Sequence, residues 1–256
     1  MKNNSVSLKA AHADRETRAY NWALLATLVL LAALLAQTPA RIIGHWLPPS
    51  AKSVVTAWGG TVWRGQANLS LPEMQGQLRW SVDFPGLLTL KAGIRWEMDA
   101  AMSHLAGRLS REPGGWSLRQ VSGSLDPMLL QAIVKSGKFP QEPVQIRTLD
   151  LVSRGASWSG SHGEATHGGG QFGYTVNGQT QHLNLPPVVL TLDGGKDRLQ
   201  LTLVQQQGGD LADFALHDGQ VEAHLRQRLL QLSPEYHGAG EPDAVAVSSS
   251  QPLNSL

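Results

Sequence analysis

Gln77-Leu78-Arg79-Trp80-Ser81-Val82-Asp83-Phe84-Pro85-Gly86 decides the fold of this chain. Leu78, Trp80, Val82 and Phe84 alternate with Gln77, Arg79, Ser81 and Asp83. A period of two places each set on one face of a strand, and a single polar face is the pattern of an antiparallel sheet. Pro85-Gly86 predicts the turn that follows. Leu90, Ala92, Ile94, Trp96 and Met98 then alternate with Lys91, Gly93, Arg95, Glu97 and Asp99, completing a hairpin. Leu105, Gly107 and Leu109 continue the meander towards a turn at Glu112-Pro113-Gly114-Gly115.

The second half reads the same way. Val144 and Ile146 begin a strand, but Leu149 and Leu151 have the opposite parity, which predicts a bulge near Arg147-Thr148. Phe172, Tyr174 and Val176 alternate up to a turn at Asn177-Gly178. Val188, Leu190 and Leu192 form a run ended by Asp193-Gly194-Gly195, and Leu199, Leu201 and Leu203 form another before Gly208-Gly209. Two helical stretches are expected. Asp126 caps one that starts at Pro127 and ends at Gly137, and a strand passes into a helix between Val221 and Leu232.

Twenty-seven glycines, fourteen prolines, 41% hydrophobic and 16% charged residues fit a globular chain of many short strands. The formal net charge of +1 offers no basic surface for nucleic acid. Cysteine is absent, which removes disulfides, thiolate nucleophiles and cysteine-ligated zinc together.

A six-residue phrase occurs twice: Gly60-Thr61-Val62-Trp63-Arg64-Gly65 and Gly155-Ala156-Ser157-Trp158-Ser159-Gly160. Residues 75–82 match 169–176 at nearly the same spacing, as do Gly114-Gly115 with Gly208-Gly209 and residues 123–126 with 219–222. Four matches in one order predict two similar β units. Gly60, Trp63, Gly65, Gly155, Trp158 and Gly160 are then structural markers: each indole plugs one end of its unit, and the glycines allow positive φ or close backbone approach.

No charge falls between Arg18 and Arg41. As a helix the run from Ala19 to Ala40 is about 33 Å long, enough for a bilayer core of about 30 Å. Lys2, Lys9, Arg15 and Arg18 outnumber the cations that follow closely, Arg41 and Lys52, so the amino terminus is expected in the cytoplasm. The uncharged run and the leader before it are both long for a cleaved signal. The expected organisation is a cytoplasmic leader (1–18), a transmembrane helix (19–40), a linker (41–55), a first β unit (56–140), a second β unit (141–235) and a disordered tail (236–256). The expected fold is mainly β: one amino-terminal transmembrane helix, then a periplasmic antiparallel curved sheet or sandwich with one or two short helices.

Chemical motifs are wanting. His162-Gly163-Glu164-Ala165-Thr166-His167 lacks the His-Glu-x-x-His spacing and reads as a surface loop. Gly168-x-Gly170-x-x-Gly173 runs into a strand where a dinucleotide fingerprint needs a helix. There is no nucleophile elbow and no phosphate-binding lysine loop. No catalytic, metal or cofactor-binding residue is assigned. Leu78, Trp80, Leu90, Ile94 and Trp96 share an apolar strand face, read as core packing or as the wall of a groove.

A membrane helix, a β-rich exported part and Gly60-Thr61-Val62-Trp63-Arg64-Gly65 soon after the membrane resemble protein N of the bacterial type II secretion system, the general secretion pathway N family. Gln77-Leu78-Arg79-Trp80 followed by Pro85-Gly86-Leu87-Leu88 is similar to that family's strand-then-Leu-Leu element. Gly107-x-Leu109, Trp116-x-Leu118 and Gly123-x-Leu125 extend the similarity over residues 20–230. The resemblance implies a non-enzymatic inner-membrane accessory protein that contacts other inner-membrane or periplasmic secretion components and supports export of folded proteins across the outer membrane. It brings no cofactor and no catalytic residue. The alternative is a lipid-handling envelope protein of the AsmA type, in which the apolar face of Leu78, Trp80, Leu90, Ile94 and Trp96 stays open to acyl chains.

Overall fold

The computed structural model describes residues 22, 24–71, 74–83, 92–112, 114–129, 137–138, 140–176, 179–234 and 236–252. Sixteen strands occur among them: β1 (Val55–Gly60), β2 (Arg64–Leu71), β3 (Met74–Asp83), β4 (Ala92–Ala100), β5 (Ser103–Glu112), β6 (Gly115–Leu125), β7 (Gly137–Lys138) and β8 (Val144–Arg154), followed by β9 (His162–His167), β10 (Gly170–Val176), β11 (Gln179–Leu185), β12 (Val188–Gly194), β13 (Arg198–Gln205), β14 (Asp210–His217), β15 (Gln220–Arg226) and β16 (Val245–Pro252). Thirteen form one sheet in the order β1-β2-β3-β4-β5-β6-β8-β9-β12-β13-β14-β15-β16. Its neighbours are antiparallel, so it runs as a meander with two excursions. At those excursions the chain leaves to build a second sheet, β11-β10-β7.

The alternation seen in the sequence sets the register. Leu78 pairs with Met98, Trp80 with Trp96 and Val82 with Ile94, so the apolar sets of β3 and β4 share one face. The register between β8 and β9 shifts between Ile146 and Thr148, where the parity slip predicts a bulge. A second irregularity lies across from it in β6. There Gln120 has a positive φ of 56° and its N–H donates to Asp150 Oδ1 at 2.6 Å. Paired bulges on adjacent strands let both faces recover their alternation.

Asp126 caps its helix through Oδ1, which accepts from the Met128 N–H at 2.8 Å, while Oδ2 accepts from the Met102 N–H at 3.3 Å. Residues 127–129 are helical, and the expected remainder of that helix, 130–136, lies outside the described residues. β15 passes into the helical turn Gln227–Leu230. Arg226, at that junction, donates to Asp213 Oδ2 from Nε (3.2 Å) and Nη2 (2.7 Å). The bond to Asp213 holds the guanidinium above its ordinary pKa range.

Three expectations change. The segment expected as linker is ordered into the short helical pieces Ala40–Ile42, Ile43–Trp46 and Pro49–Lys52. The cause is apolar burial: Ala40 is 1% exposed and packs with Ala67 and Trp80, joined by Ile43. Within the expected disordered tail, residues 245–252 form β16, whose backbone takes up the free edge of β15. An unpaired edge satisfies its N–H and C=O groups by adding a strand, even one of exposed serines. His162–His167, read as a loop, is β9, paired on both sides by β8 and β12.

The uncharged run forms a helix over residues 24–36. Pro39, which follows, bridges Thr61. No helix among the described residues is long and apolar enough to cross a membrane, and residues 19–21 and 23 lie outside those described. The helix exposes apolar side chains on every side: Leu24, Leu25, Leu28, Val29, Leu30, Leu31, Leu34 and Leu35 are each at least half exposed.

Candidate functional site

The two copies of the glycine–tryptophan phrase fall at the turns β1–β2 and β8–β9. Gly60 and Gly155 both have positive φ, 78° and 61°. At Gly60 a Cβ would lie 2.5 Å from the Arg64 carbonyl oxygen, so both space and dihedral favour glycine. The Trp63 indole N–H donates to the Leu35 carbonyl at 2.7 Å, and the Val62 N–H donates to the Thr38 carbonyl at 2.9 Å. These bonds tie the first turn to the end of the apolar helix. The Trp158 ring instead meets Trp116 edge-on at 6.2 Å, and its backbone N–H donates to the Gly195 carbonyl at 3.1 Å. Residues 75–82 lie in β3 of the large sheet, whereas their sequence match 169–176 falls in β10 of the small one.

Trp80 is the centre of the first apolar cluster. Its ring lies over Gly65 of the neighbouring strand, where a Cβ would sit 2.4 Å from the ring. The Trp80 indole N–H donates to the Val62 carbonyl at 3.0 Å, and Trp58 meets it edge-on at 6.0 Å. Leu78 and Ile94 pack against the same cluster. Trp96 repeats the arrangement over Gly107. An indole crossing a cross-strand glycine fills the space that the missing side chain leaves. Leu90 lies outside the described residues.

A large apolar cavity lies elsewhere. About 810 Å³ lies between the large sheet at β8, β9 and β12–β14, the small sheet, and the turn Gln227–Leu230. Two transverse rows of paired residues make its floor. One is Ile146–Ala165–Leu190–Leu203–Ala212–Leu225, and the other is Leu149–Gly163–Leu192–Leu201–Phe214. Phe172, Leu183 and Leu185 face them from the small sheet. Leu190, Leu192, Leu199, Leu201, Leu203 and Phe214 are only half-buried although their strands are paired on both edges. Leu78, Trp80, Ile94 and Trp96 do not line this cavity. By their alternation alone, the leucines of β12 and β13 mark strands and nothing more. Their shared parity on adjacent strands, with alanines at 165 and 212, was the available signal.

Three of the polar side chains at the cavity, His167, Ser233 and Glu164, are already engaged. The Gly169 N–H donates to His167 Nδ1 at 2.9 Å, so Nε2 carries the proton and donates to the Glu142 carbonyl at 3.1 Å. Ser233 Oγ donates to the His182 carbonyl at 3.3 Å, and Glu164 pairs with Arg147 at 2.6 Å. Among the described residues, no three His, Asp or Glu side chains converge as metal ligands would.

Across β2–β6 the other face of the large sheet carries a cationic row. Arg64, Ser81, Arg95, Arg108 and Arg119 are successive cross-strand partners. Asp83 pairs with Arg108 at 3.0 Å. Nearby, Asp99 accepts from His104 and Arg79, and these bonds hold its carboxyl below the ordinary carboxylate range.

A model of the type II secretion system (T2SS) protein N family matches residues 53–229, from the end of the last helical piece before β1 to the turn after β15. The match covers more than half of the chain. The chain belongs to the type II secretion system protein N family. No curated protein and no solved structure matched it. The protein N match spans β1 to β15, the repeated turns, the arginine row and the cavity lining except Leu230 and Ser233, and leaves out the apolar helix and β16.

Proposed function

We propose that this chain is a non-enzymatic accessory component of the type II secretion system, held in the inner membrane by its amino-terminal helix, with residues 41–256 in the periplasm. The family match over residues 53–229 carries the reading. The helix over residues 24–36 supports the anchor, because side chains apolar all round suit lipid and not water. The cations at positions 2, 9, 15 and 18 supply the orientation. The bonds from Trp63 and Val62 to the helix end then fix the sheet close to the membrane surface.

The large sheet serves as a scaffold for other inner-membrane or periplasmic secretion proteins. Its arginine row faces a partner rich in carboxylates. Like charges directly opposed across strands are destabilising, and an acidic partner relieves that repulsion. We also read the sheet as two units counted by strands: β1–β6 followed by the turn at 127–129, and β8, β9 and β12–β15 followed by Gln227–Leu230, with β10–β11 as an excursion from the second. The test is affinity purification of the full chain after in-cell crosslinking. Secretion-system components are expected with the wild type, and their yield should fall when Arg95 and Arg119 are both changed to Glu. Recovery of no secretion component sinks the proposal.

A further inference from the structure

We infer that the cavity between the two sheets is a binding site for a long-chain acyl group. The inference goes beyond the secretion role and does not rest on it. The floor crosses six strands from Ile146 to Leu225, which at an inter-strand spacing of about 4.8 Å makes a trough roughly 24 Å long. An acyl chain that spans one leaflet of a core of about 30 Å is roughly 15 Å long and fits inside it. The volume of about 810 Å³ falls within the range of about 300–1,000 Å³ common to small-ligand pockets.

The chemistry of the wall selects hydrocarbon over peptide. Every floor strand of the large sheet from β8 to β15 is paired on both edges, so the floor offers no backbone N–H or C=O to an extended peptide, and the outer edge of β11 is engaged there by Leu232 and Ser233. The side chains of His167, Ser233 and Glu164 are already bonded within the protein. A peptide strand would bury its amides without partners, whereas a hydrocarbon has no polar groups to satisfy. The half-exposed leucines are accounted for on the same basis: in the large sheet's second half they form a wall with its contents removable, not a closed core. Ala165 and Ala212 keep the floor low where larger side chains would block it.

The experiment uses the full chain in detergent micelles with two fluorescent polyene probes, one a free fatty acid and the other the same acyl chain esterified in a phosphatidylcholine. Saturable binding of either probe is expected, and the arm that binds more tightly identifies the source of the chain. Ala165→Phe should weaken binding at least tenfold, while Thr166→Phe, on the other face of β9, should leave it within twofold. Saturation absent from both arms, or equal affinities for the two variants, overturns the inference. A second measurement covers a variant that fails to fold. A fatty acid carrying a diazirine at the chain end is photo-crosslinked to the wild-type protein. Crosslinks within residues 188–217 are expected, and crosslinks confined to the helix over residues 24–36 refute it.

Discussion

Gly65→Ala tests how tightly the first glycine–tryptophan turn is built. The added Cβ would stand 2.4 Å from the Trp80 ring, 2.8 Å from the Thr61 carbonyl oxygen and 2.9 Å from that of Gly59. Two of the three obstacles are backbone atoms of the turn, so a side-chain rotation does not relieve them. Overpacking of this kind costs about 1–3 kcal/mol. Displacing the indole also breaks its bond to the Val62 carbonyl, worth about 0.5–1.5 kcal/mol. The expected loss is therefore about 1.5–4.5 kcal/mol. Gly160 is the matched residue of the second phrase and serves as the control. Its φ is 89°, but the nearest atom to its added Cβ is 4.0 Å away, so Gly160→Ala meets only a conformational penalty of about 1–2 kcal/mol. Urea unfolding of the full chain in micelles, followed by near-ultraviolet circular dichroism, measures both. The reasoning is refuted if Gly65→Ala costs no more than Gly160→Ala, or if adding Trp80→Leu recovers none of the Gly65→Ala loss.

Three further outcomes follow from single contacts. Asp126→Ala removes the cap of Met128 and the bond to Met102, and should cost about 0.5–2 kcal/mol in the same unfolding assay, whereas Asp126→Asn should cost less. Trp63→Phe removes the donor to Leu35, so limited proteolysis should cut faster between residues 36 and 55 while the sheet stays intact. Asp99 has a folded pKa below its unfolded value of about 3.9, so its contribution is complete above that pH and is lost as pH falls towards the folded value. The stability difference between wild type and Asp99→Asn should accordingly shrink in acid titrations below about pH 4. A difference that grows there contradicts the assignment.

Strand alternation made most of the large sheet legible, because a period of two needs only local information. Leu78, Trp80 and Val82 show their face in the sequence, and so does the parity slip between Ile146 and Leu149. Which strands share a sheet did not show. Phe172, Tyr174 and Val176 alternate as clearly as β3 does, yet β10 leaves the large sheet. Pairing partners are long-range, and a constant residue offset aligned β10 with β3 across different sheets. Edge pairing was hidden in the same way: nothing local in residues 245–252 announces a strand, and β15 supplies the reason. Leu78 and Ile94 pack with Trp80 in one apolar cluster. Its cover, Ala40 and Ile43, comes from a segment whose own pattern gave no sign of packing. The cavity went unread because leucines facing a void and leucines facing a core have the same spacing.

The most direct measurement uses the absence of cysteine. Ser5→Cys and Ser249→Cys each give the full chain one thiol, and intact spheroplasts are labelled with a membrane-impermeant maleimide. An anchored chain with its sheet in the periplasm predicts labelling of Cys at 249 before lysis and of Cys at 5 only after lysis. Both thiols reacting before lysis, or neither, would contradict the account.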